Sequence, residues 1–438
     1  MKKYLLLALV LVAAAVGGFL YMAQGDTARL APGQDVGREP LITTARREIV
    51  PTVNIADVVG WKAGEAPQPA QGLKVARFAE GLEHPRTILQ LPNGDVLVAE
   101  TNSPPRKISG IKDRIMGFFF AKAGAGGASP NRITLLRDAD GDGRAEVKTP
   151  LLTGLHSPYG MALVGNTLYI ADTDKLLAFP YNTGDTKITA APRKIMNLPA
   201  QGPNHHWTKG LLASPDGQLL YVSVGSNSNI GENGLDLEAN RANILEVNLT
   251  KGDYRIFASG LRNPVGMGWE PKTGQLWTVV NERDMLGSDL VPDYLTRVEF
   301  GGFYGWPWNY WGGYEDRRVQ PERPELREYT HRPDYALGNH VAPLGLSFAQ
   351  TGLGAPFTNG AFVGLHGSWN RKPAAGYKVI FVPFGADGRP NGKPIDVLSA
   401  FLNAQGDARG RPVDVTADTK GALLVTDDVG GKVWRVSR

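Results

Sequence analysis

A strand–turn–strand motif that occurs six times after residue 80 constrains the fold of this chain more than any other feature. Each copy starts with a short stretch ending in Gly, followed by one or two polar residues and often Pro. An apolar strand, a Gly-containing turn and a second strand rich in Val, Leu, Tyr and Trp complete it. The copies begin at Gly81, Gly154, Asn204, Gly260, Gly338 and Gly410. The turns are typical of antiparallel hairpins.

A single hairpin cannot bury its faces, so such units must pack against one another, and radial closure also removes exposed sheet edges. Residues 73–79 (LKVARFA) resemble the YRIFA stretch that precedes the fourth copy, whereas residues 432–436 lack an outer partner. The sequence therefore predicts an all-β, six-bladed β-propeller closed by pairing of N-terminal and C-terminal strands. An open β-sandwich of hairpins is the alternative. The 54 glycines and 31 prolines agree with short strands and tight turns.

The N-terminus has the pattern of an export signal. Lys2 and Lys3 precede an apolar run over residues 4–23, which is also long enough to span a bilayer if it is not cleaved. We predict that residues 1–23 are a signal peptide or membrane anchor, that 24–71 form a linker over the folded body, and that 72–438 form the propeller. The protein is then periplasmic or extracellular, either secreted or tethered to the membrane through residues 4–23.

Composition excludes several function classes. The chain has no cysteine, so disulfides, zinc–thiolate sites, thiol nucleophiles and a lipid-modified cysteine are excluded. The formal net charge of +4 is small and dispersed, and no Lys/Arg run or nucleic-acid signature is present. We predict no nucleic-acid partner.

Polar side chains stand at the start of each copy, before the strand that would line the propeller channel. In chain order they are His84, Arg86, His156, Tyr159, His205, His206, Lys209, Arg262, Asn263, His340 and Arg411. In a propeller these positions converge on one mouth of the channel. Several cations around one axis favour a bound polyanion. The alternative is that these side chains solvate a water-filled tunnel.

Seven motifs in order carry a resemblance to a known family. They are PNHHWTKGLLASPDG (203–217), VSVGSNSN (222–229), GLRNPVGM (260–267), VNERD with PDYLTRVEFGGFYGWP (280–307), NHVAPLG (339–345), HGSWNR (366–371) and GRPVDV (410–415). Together they resemble the sorbosone dehydrogenase branch of the soluble quinoprotein sugar dehydrogenases, propellers that use pyrroloquinoline quinone (PQQ) and Ca²⁺. The resemblance implies oxidation of a sugar or aldose-like alcohol or aldehyde, with an external quinone or cytochrome as electron acceptor.

The resemblance also implies roles for individual residues. His205 matches the general base, and Arg262 matches the arginine beside the reacting quinone oxygen. The matched cofactor-binding positions are Lys209, Asn263, Asp293, His340, Arg371 and Arg411. The matched calcium positions are Glu282, Asp284 and Met285. Ser226 replaces the carboxylate that orients the base in glucose-oxidising members, so Ser226 or Asn227 is expected to hold His205.

A second calcium signal is independent of the family. Acidic residues alternate with small ones at Asp138, Asp140, Asp142 and Glu146, as in loops that wrap Ca²⁺. A hairpin turn with solvent-facing carboxylates is the alternative.

Two other function classes remain open. A calcium-dependent lactonase or esterase would need several carboxylates converging on the channel axis, whereas the copies begin with His and Arg. A non-catalytic binding propeller would make the His–Arg–Asn constellation incidental. Fold alone does not decide among these classes.

Overall fold

The computed structural model describes residues 24–438 except 49, 106–109, 111–113, 115, 116, 119, 120, 125, 349 and 350, together with Tyr4, Leu11, Val12, Gly17 and Gly18. The predicted signal or anchor over residues 1–23 therefore lies largely outside the described residues. Within the described part, no helix combines the length and apolarity needed to cross a membrane.

Antiparallel strands make up the body of the protein, and we number them in chain order. The extension contributes β1 (Val36–Gly37) and β2 (Gln68–Pro69), and β3 (Lys74–Glu80) follows. Blade 1 contains β4 (Pro85–Gln90), β5 (Val96–Glu100), β6 (Arg132–Arg137) and β7 (Val147–Leu152). Blade 2 contains β8 (Gly160–Val164), β9 (Thr167–Ala171), β10 (Lys175–Pro180) and β11 (Arg193–Asn197). Blade 3 contains β12 (Lys209–Ala213), β13 (Leu219–Val224), β14 (Asn243–Asn248) and β15 (Tyr254–Ser259).

The remaining blades are more elaborate. Blade 4 contains β16 (Pro264–Trp269), β17 (Leu276–Val280), β18 (Pro292–Arg297) and, after a short hairpin of β19 (Asn309–Tyr310) and β20 (Tyr314–Glu315), β21 (Tyr335–Asn339). Blade 5 contains β22 (Pro343–Ser347), β23 (Gly360–Leu365), β24 (Lys378–Pro383) and β25 (Ile395–Ser399). Blade 6 contains β26 (Pro412–Ala417), β27 (Leu423–Asp427) and β28 (Lys432–Ser437). Two 3₁₀ helices, Leu235–Glu238 and Pro324–Tyr329, lie in connecting segments.

The predicted ring closure is confirmed. Strand β3 pairs antiparallel with β28, in a register that places Ala79 opposite Val433, and so completes blade 6 from the other end of the chain. The innermost strands β4, β8, β12, β16, β22 and β26 contact one another in that order, and β26 contacts β4. The fold is therefore a six-bladed β-propeller.

Glycines on the innermost strands allow the blades to approach. A Cβ atom added to Gly160, Gly210, Gly266 or Gly345 would lie 2.5–2.6 Å from backbone atoms of the next blade. A side chain at these positions would force neighbouring blades apart. The close packing of neighbouring blades therefore requires glycine at these four positions, which lie in the second to fifth copies of the motif.

The interface between blades 6 and 1 should depend on the closing strand. Phe78 of β3 is 4% exposed and packs in a cluster that includes Leu136 of blade 1 and Val433 of blade 6. We expect Phe78→Ala to lower the free energy of unfolding by about 3–5 kcal/mol, measured by denaturant unfolding. Lys74→Ala, on the exposed end of the same strand, is the control and should change it little. Equal stability of the two variants would contradict a closing role for β3.

Candidate active site

We call the end of the propeller at which the predicted site residues lie the cup. The loops before the innermost strand and after the second strand of each blade lie at the same end, because adjacent strands are antiparallel. The floor of the cup is a buried apolar cluster with one residue from each of blades 2 to 6: Tyr159, Trp207, Val265, Leu344 and Val413. The rings of Tyr159 and Trp207 meet edge to face with centroids 6.1 Å apart. Blade 1 contributes Arg86, whose guanidinium carbon lies 5.9 Å from the centre of the Tyr159 ring.

A buried carboxylate lies among one arginine and two histidines on the side of the cup formed by blades 5, 6 and 1. Asp428 Oδ2 lies 2.6 Å from Arg86 Nη1, 2.8 Å from His366 Nε2 and 3.7 Å from His84 Nε2. Burial raises the pKa of Asp428, but the two histidines and Arg86 outweigh burial and hold that pKa well below its usual range. Burial and the Arg411 charge lower the pKa of His366 to about 3. His366 is therefore neutral at physiological pH.

Arg411, predicted to bind cofactor, extends this group of cations. Its guanidinium donates hydrogen bonds to the carbonyls of His366, Gly367 and Ala123, each at 3.3 Å, and lies 5.5 Å from the centre of the Tyr377 ring. Carbonyl acceptors leave its positive charge without a direct carboxylate partner among the described residues. Arg411 therefore adds a second arginine to this side of the cup, beside the carboxylates of Asp428 and Asp427.

A second network occupies the side of the cup formed by blade 4. Arg262 donates to the carbonyls of Asn229, Asn281 and Glu282, and its Nη2 lies 3.1 Å from Asp284 Oδ2. The other oxygen of Asp284 lies 3.4 Å from His340 Nδ1. Burial raises the pKa of Asp284, but hydrogen bonding with His340 and the Arg262 charge lower it overall. The opposite balance holds for His340: burial lowers its pKa, and Asp284 raises it overall.

The adjacent residues His205 and His206 differ in their surroundings. Ser226 was expected to hold His205, but its Oγ and carbonyl oxygen each lie 2.9 Å from Nδ1 of His206. A carbonyl only accepts, so Nδ1 of a neutral His206 carries the proton and Nε2 carries the lone pair. His205 is exposed and donates its backbone amide to the carbonyl of Asn227 at 3.0 Å. The structure thus fixes the His206 ring on Ser226 and the His205 backbone on Asn227.

Asn263 lies beside His206. A side chain at Gly225 would overlap both the Asn263 carboxamide and Cβ of His206, so these two groups flank the glycine. Seventeen buried side-chain atoms in the described part of the chain have no hydrogen-bond partner, and three of them, Asn263 Oδ1, Arg86 Nε and Glu282 Oε1, lie near the cup. Buried polar atoms are nearly always satisfied, so a bound molecule or water is the expected partner of these atoms.

Two predicted cofactor ligands donate to backbone carbonyls. Lys209 is completely buried, its Nζ donates to the Trp207 carbonyl at 3.1 Å, and burial lowers its pKa well below the usual range. Arg371 is partly exposed, and its Nη1 donates to the Pro373 carbonyl at 2.7 Å. Their cofactor-binding roles stay predictions.

The predicted calcium residues are only partly arranged as expected. Asp293, predicted to contact cofactor, instead accepts the backbone amides of Glu282 (2.7 Å) and Ala342 (2.8 Å), and burial raises its pKa to about 7. The carbonyl of Met285 is occupied by Arg318 Nη1 at 3.2 Å and by the Glu48 amide at 3.3 Å. Glu282 Oε1 has no hydrogen-bond partner, whereas both oxygens of Asp284 already contact Arg262 and His340. Calcium binding by Glu282 and Asp284 stays a prediction, and the occupied Met285 carbonyl does not fit it.

The independent acidic loop is assembled at the opposite end of the propeller, between β6 and β7. Ligand atoms of Asp138, Asp140, Asp142 and Glu146 all lie within 4.8 Å of one another. Lys420 Nζ lies 2.7 Å from Asp138 Oδ2 and 2.9 Å from the Gly141 carbonyl. An ammonium group thus already neutralises part of this exposed cluster.

Sequence analysis did not identify Asp428, which organises one side of the cup, whereas Asp284 was among the predicted calcium residues. Asp428 follows the second strand of blade 6, and Asp284 follows the second strand of blade 4. The polar residues directly after the second strand of blade 6, Asp427 and Asp428, were the signal that could have identified this acid.

Comparison with known proteins identifies the class to which this chain belongs. The TrAA12-like family matches residues 131–292 and 324–438, more than half of the chain, and the chain belongs to this family. Among its relatives, the PQQ-dependent sugar dehydrogenase of Hypocrea jecorina is 23% identical over 84% of this chain and 89% of that protein. The PQQ-dependent pyranose dehydrogenase of Coprinopsis cinerea is 24% identical over 85% of this chain, which spans only 56% of that protein.

Solved structures agree on the fold. The calcium structure of the Trichoderma reesei family AA12 enzyme has a TM-score of 0.70 at 20% identity, covering 88% of this chain and 99% of that chain. The holo PQQ domain of Coprinopsis cinerea pyranose dehydrogenase has a TM-score of 0.69 at 21% identity, covering 88% and 100%.

Proposed function

We propose that this protein oxidises a sugar or aldose-like alcohol or aldehyde in a PQQ-dependent reaction. The single observation that carries the proposal is that Arg86 and Arg411 lie at the same end of the propeller as an apolar floor. That combination suits a planar aromatic anion with several carboxylates. Two relatives are named as PQQ-dependent dehydrogenases, so we take PQQ as this anion. The resemblance to the sorbosone dehydrogenase branch favours a sugar or an aldose-like alcohol or aldehyde as the substrate.

The described residues fit such a cofactor. Arg86 and Arg411 provide donors for carboxylates on one side, and two of the unpartnered buried atoms, Arg86 Nε and Asn263 Oδ1, belong to this cup. Trp207 and its apolar neighbours provide a floor against which an aromatic ring can pack. PQQ, when bound, supplies the acceptor for the hydride that leaves the substrate carbon.

The substrate hydroxyl proton needs a base, and the geometry favours His206 over the sequence prediction His205. The Nδ1 proton of His206 is fixed on Ser226, which leaves Nε2 as the proton acceptor. His366 is also held by a carboxylate, but a pKa of about 3 makes it a poor acceptor near neutral pH. Arg262 places a fixed positive charge where negative charge would develop.

We further propose Ca²⁺ as a second component, held by Glu282 and the Asp284 carboxylate at the blade 4 side of the cup. The loop from Asp138 to Glu146 is a separate, weaker calcium proposal, since Lys420 competes for its carboxylates. Export through residues 1–23, with periplasmic or extracellular location, and electron transfer to a quinone or cytochrome complete the proposal.

Hydrolysis by a lactonase or esterase is the less favoured alternative. Its catalytic ion would need several carboxylates that converge at one point, whereas Asp428 binds Arg86 and His366 on one side of the cup and Asp284 binds Arg262 and His340 on the other.

Reconstitution tests the proposed function. We expect purified protein to reduce a redox dye with sugars or aldehydes only after incubation with PQQ plus Ca²⁺, and a chelator present during incubation should slow recovery. Metal-dependent lactone hydrolysis without PQQ would instead support the alternative.

A further inference from the structure

The extension ahead of the propeller crosses the rim of the cup. We call residues 24–61 the strap. Asp35 accepts the backbone amide of Asn339 at 3.0 Å beside the β1–β21 pair, and the Glu48 amide donates to Met285. The Asn54 amide then donates to Trp369 at 2.8 Å, and Trp61 Nε1 reaches Asp427 Oδ2 at 2.6 Å. The strap therefore passes blades 4, 5 and 6 on the face that carries the cup.

The strap contacts three residues that are each adjacent in sequence to a residue of the proposed site. Asn339 precedes His340, Met285 follows Asp284, and Asp427 precedes Asp428. The family match begins at residue 131, so the strap lies outside the matched segments. It is therefore a feature of this chain that the family assignment does not explain.

A buried amide joins the strap to the blade 4 loop. Asn370 is completely buried. Its Oδ1 accepts the Met285 amide at 2.9 Å, and its Nδ2 donates to the Thr52 carbonyl at 2.7 Å and to Glu48 Oε2 at 3.2 Å. A hydrogen-bonded carboxamide fully enclosed between two segments fixes their relative position, because breaking it leaves buried groups unpaired.

The loop that Asn370 holds has a conformation that needs support. Met285 has φ of +69°, in the left-handed region that non-glycine residues rarely adopt. Such a conformation persists only where the surroundings determine it, and such residues cluster at functional sites. The preceding residue is Asp284, whose carboxylate binds both Arg262 and His340.

We propose that the strap is a wall of the cofactor pocket and that Asn370 is a positioning residue, which fixes the Asp284–Met285 turn and through it the Arg262–Asp284–His340 network. The inference rests on the proposed function, since the cofactor is PQQ. Asn370 itself does not contact the reacting atoms in this account. It acts through the Met285 amide on one side and through Glu48 and Thr52 on the other.

Asn370→Ala tests the proposal. We expect the Kd for PQQ, titrated in the presence of Ca²⁺, to rise about 10–100-fold, the usual cost of removing a group that orients the residues of such a site. Hydrogen exchange should accelerate in peptides that contain Met285, and exchange in the blade strands should not. A merely structural role would lower stability without this selective loss of PQQ affinity.

Two further variants keep the test decisive. Glu48→Ala leaves the loop unmutated and removes one acceptor of Asn370. It should raise the Kd for PQQ and accelerate exchange at Met285, both by less than Asn370→Ala does. If Asn370→Ala does not fold, Glu48→Ala takes its place. Asp57→Asn is the matched control on the strap, since it loses only an exposed ion pair with Lys122. It should leave both readouts unchanged.

The outcomes separate this proposal from the proposed function. Faster exchange at Met285 with an unchanged PQQ Kd, or unchanged exchange in both Asn370→Ala and Glu48→Ala, would overturn the positioning role. No PQQ binding by the wild-type protein would contradict the proposed function and, with it, the cofactor-pocket role of the strap, whatever the exchange data show about the loop.

Discussion

His206→Ala should lower kcat by about 10²–10⁴-fold at saturating PQQ, the usual contribution of a positioned general base. The expectation follows from the Ser226 contacts, which fix the ring and leave Nε2 as the acceptor. The affinity for PQQ should change little, because His206 is assigned to the substrate proton. Steady-state kinetics over a range of PQQ concentrations separate the two effects.

His205→Ala is the matched control, and it also tests the sequence prediction directly. His205 is exposed, so its loss should change kcat only slightly. Full activity of His206→Ala together with inactive His205→Ala would restore the sequence prediction and remove His206 as the base.

Arg262→Met should lower kcat by about 10²–10³-fold, the cost of one lost donor to a developing negative charge. It should also lower the free energy of unfolding by about 3–5 kcal/mol, because it leaves the Asp284 carboxylate without its nearest cation in a buried site. Arg262→Lys keeps the charge but loses the forked contacts to Asn229 and Glu282, so its effects should be intermediate.

Arg323→Met is the control for Arg262→Met. Both partners of its ion pair with Glu325 are exposed, with side chains 47% and 54% accessible, so the free energy of unfolding and kcat should change little. Denaturant unfolding and steady-state kinetics are compared for the three arginine variants. Arg262→Met with wild-type kcat would contradict electrostatic stabilisation by Arg262.

The fold was predictable because its signal repeats. Each blade carries the same order of strand, turn and strand, so an uncertain copy such as the fifth is supported by the others. Closure by β3 and β28 was predictable for the same reason, since each end of the chain holds an incomplete blade. Six copies of the motif support one another, whereas the residues of a site occur only once in the sequence.

The site was less predictable, because its contacts join residues far apart in sequence. Arg86 and Asp428, 342 positions apart, are brought together only when the ring closes. Adjacent residues also diverge in direction, so a motif that contains both His205 and His206 does not reveal which ring Ser226 will hold. Lys209 shows the same limit. Its place in the motif predicts a position at the mouth of the propeller channel, but its side chain is buried.

The strap had almost no sequence signal. Many of its contacts with the rim use backbone atoms, as in the amides of Glu48 and Asn54. Backbone hydrogen bonds impose no periodicity on side chains, so a Pro- and Gly-containing stretch with this role resembles a linker.

The most direct test of the central claim is the absorption spectrum of apoprotein loaded with PQQ and Ca²⁺ and then mixed anaerobically with a sugar, without an external electron acceptor. We predict one PQQ bound per chain, its reduction by the sugar in a single turnover, and binding without reduction in His206→Ala. Bound PQQ that no sugar or aldehyde reduces, or wild-type protein that binds no PQQ, would contradict the account.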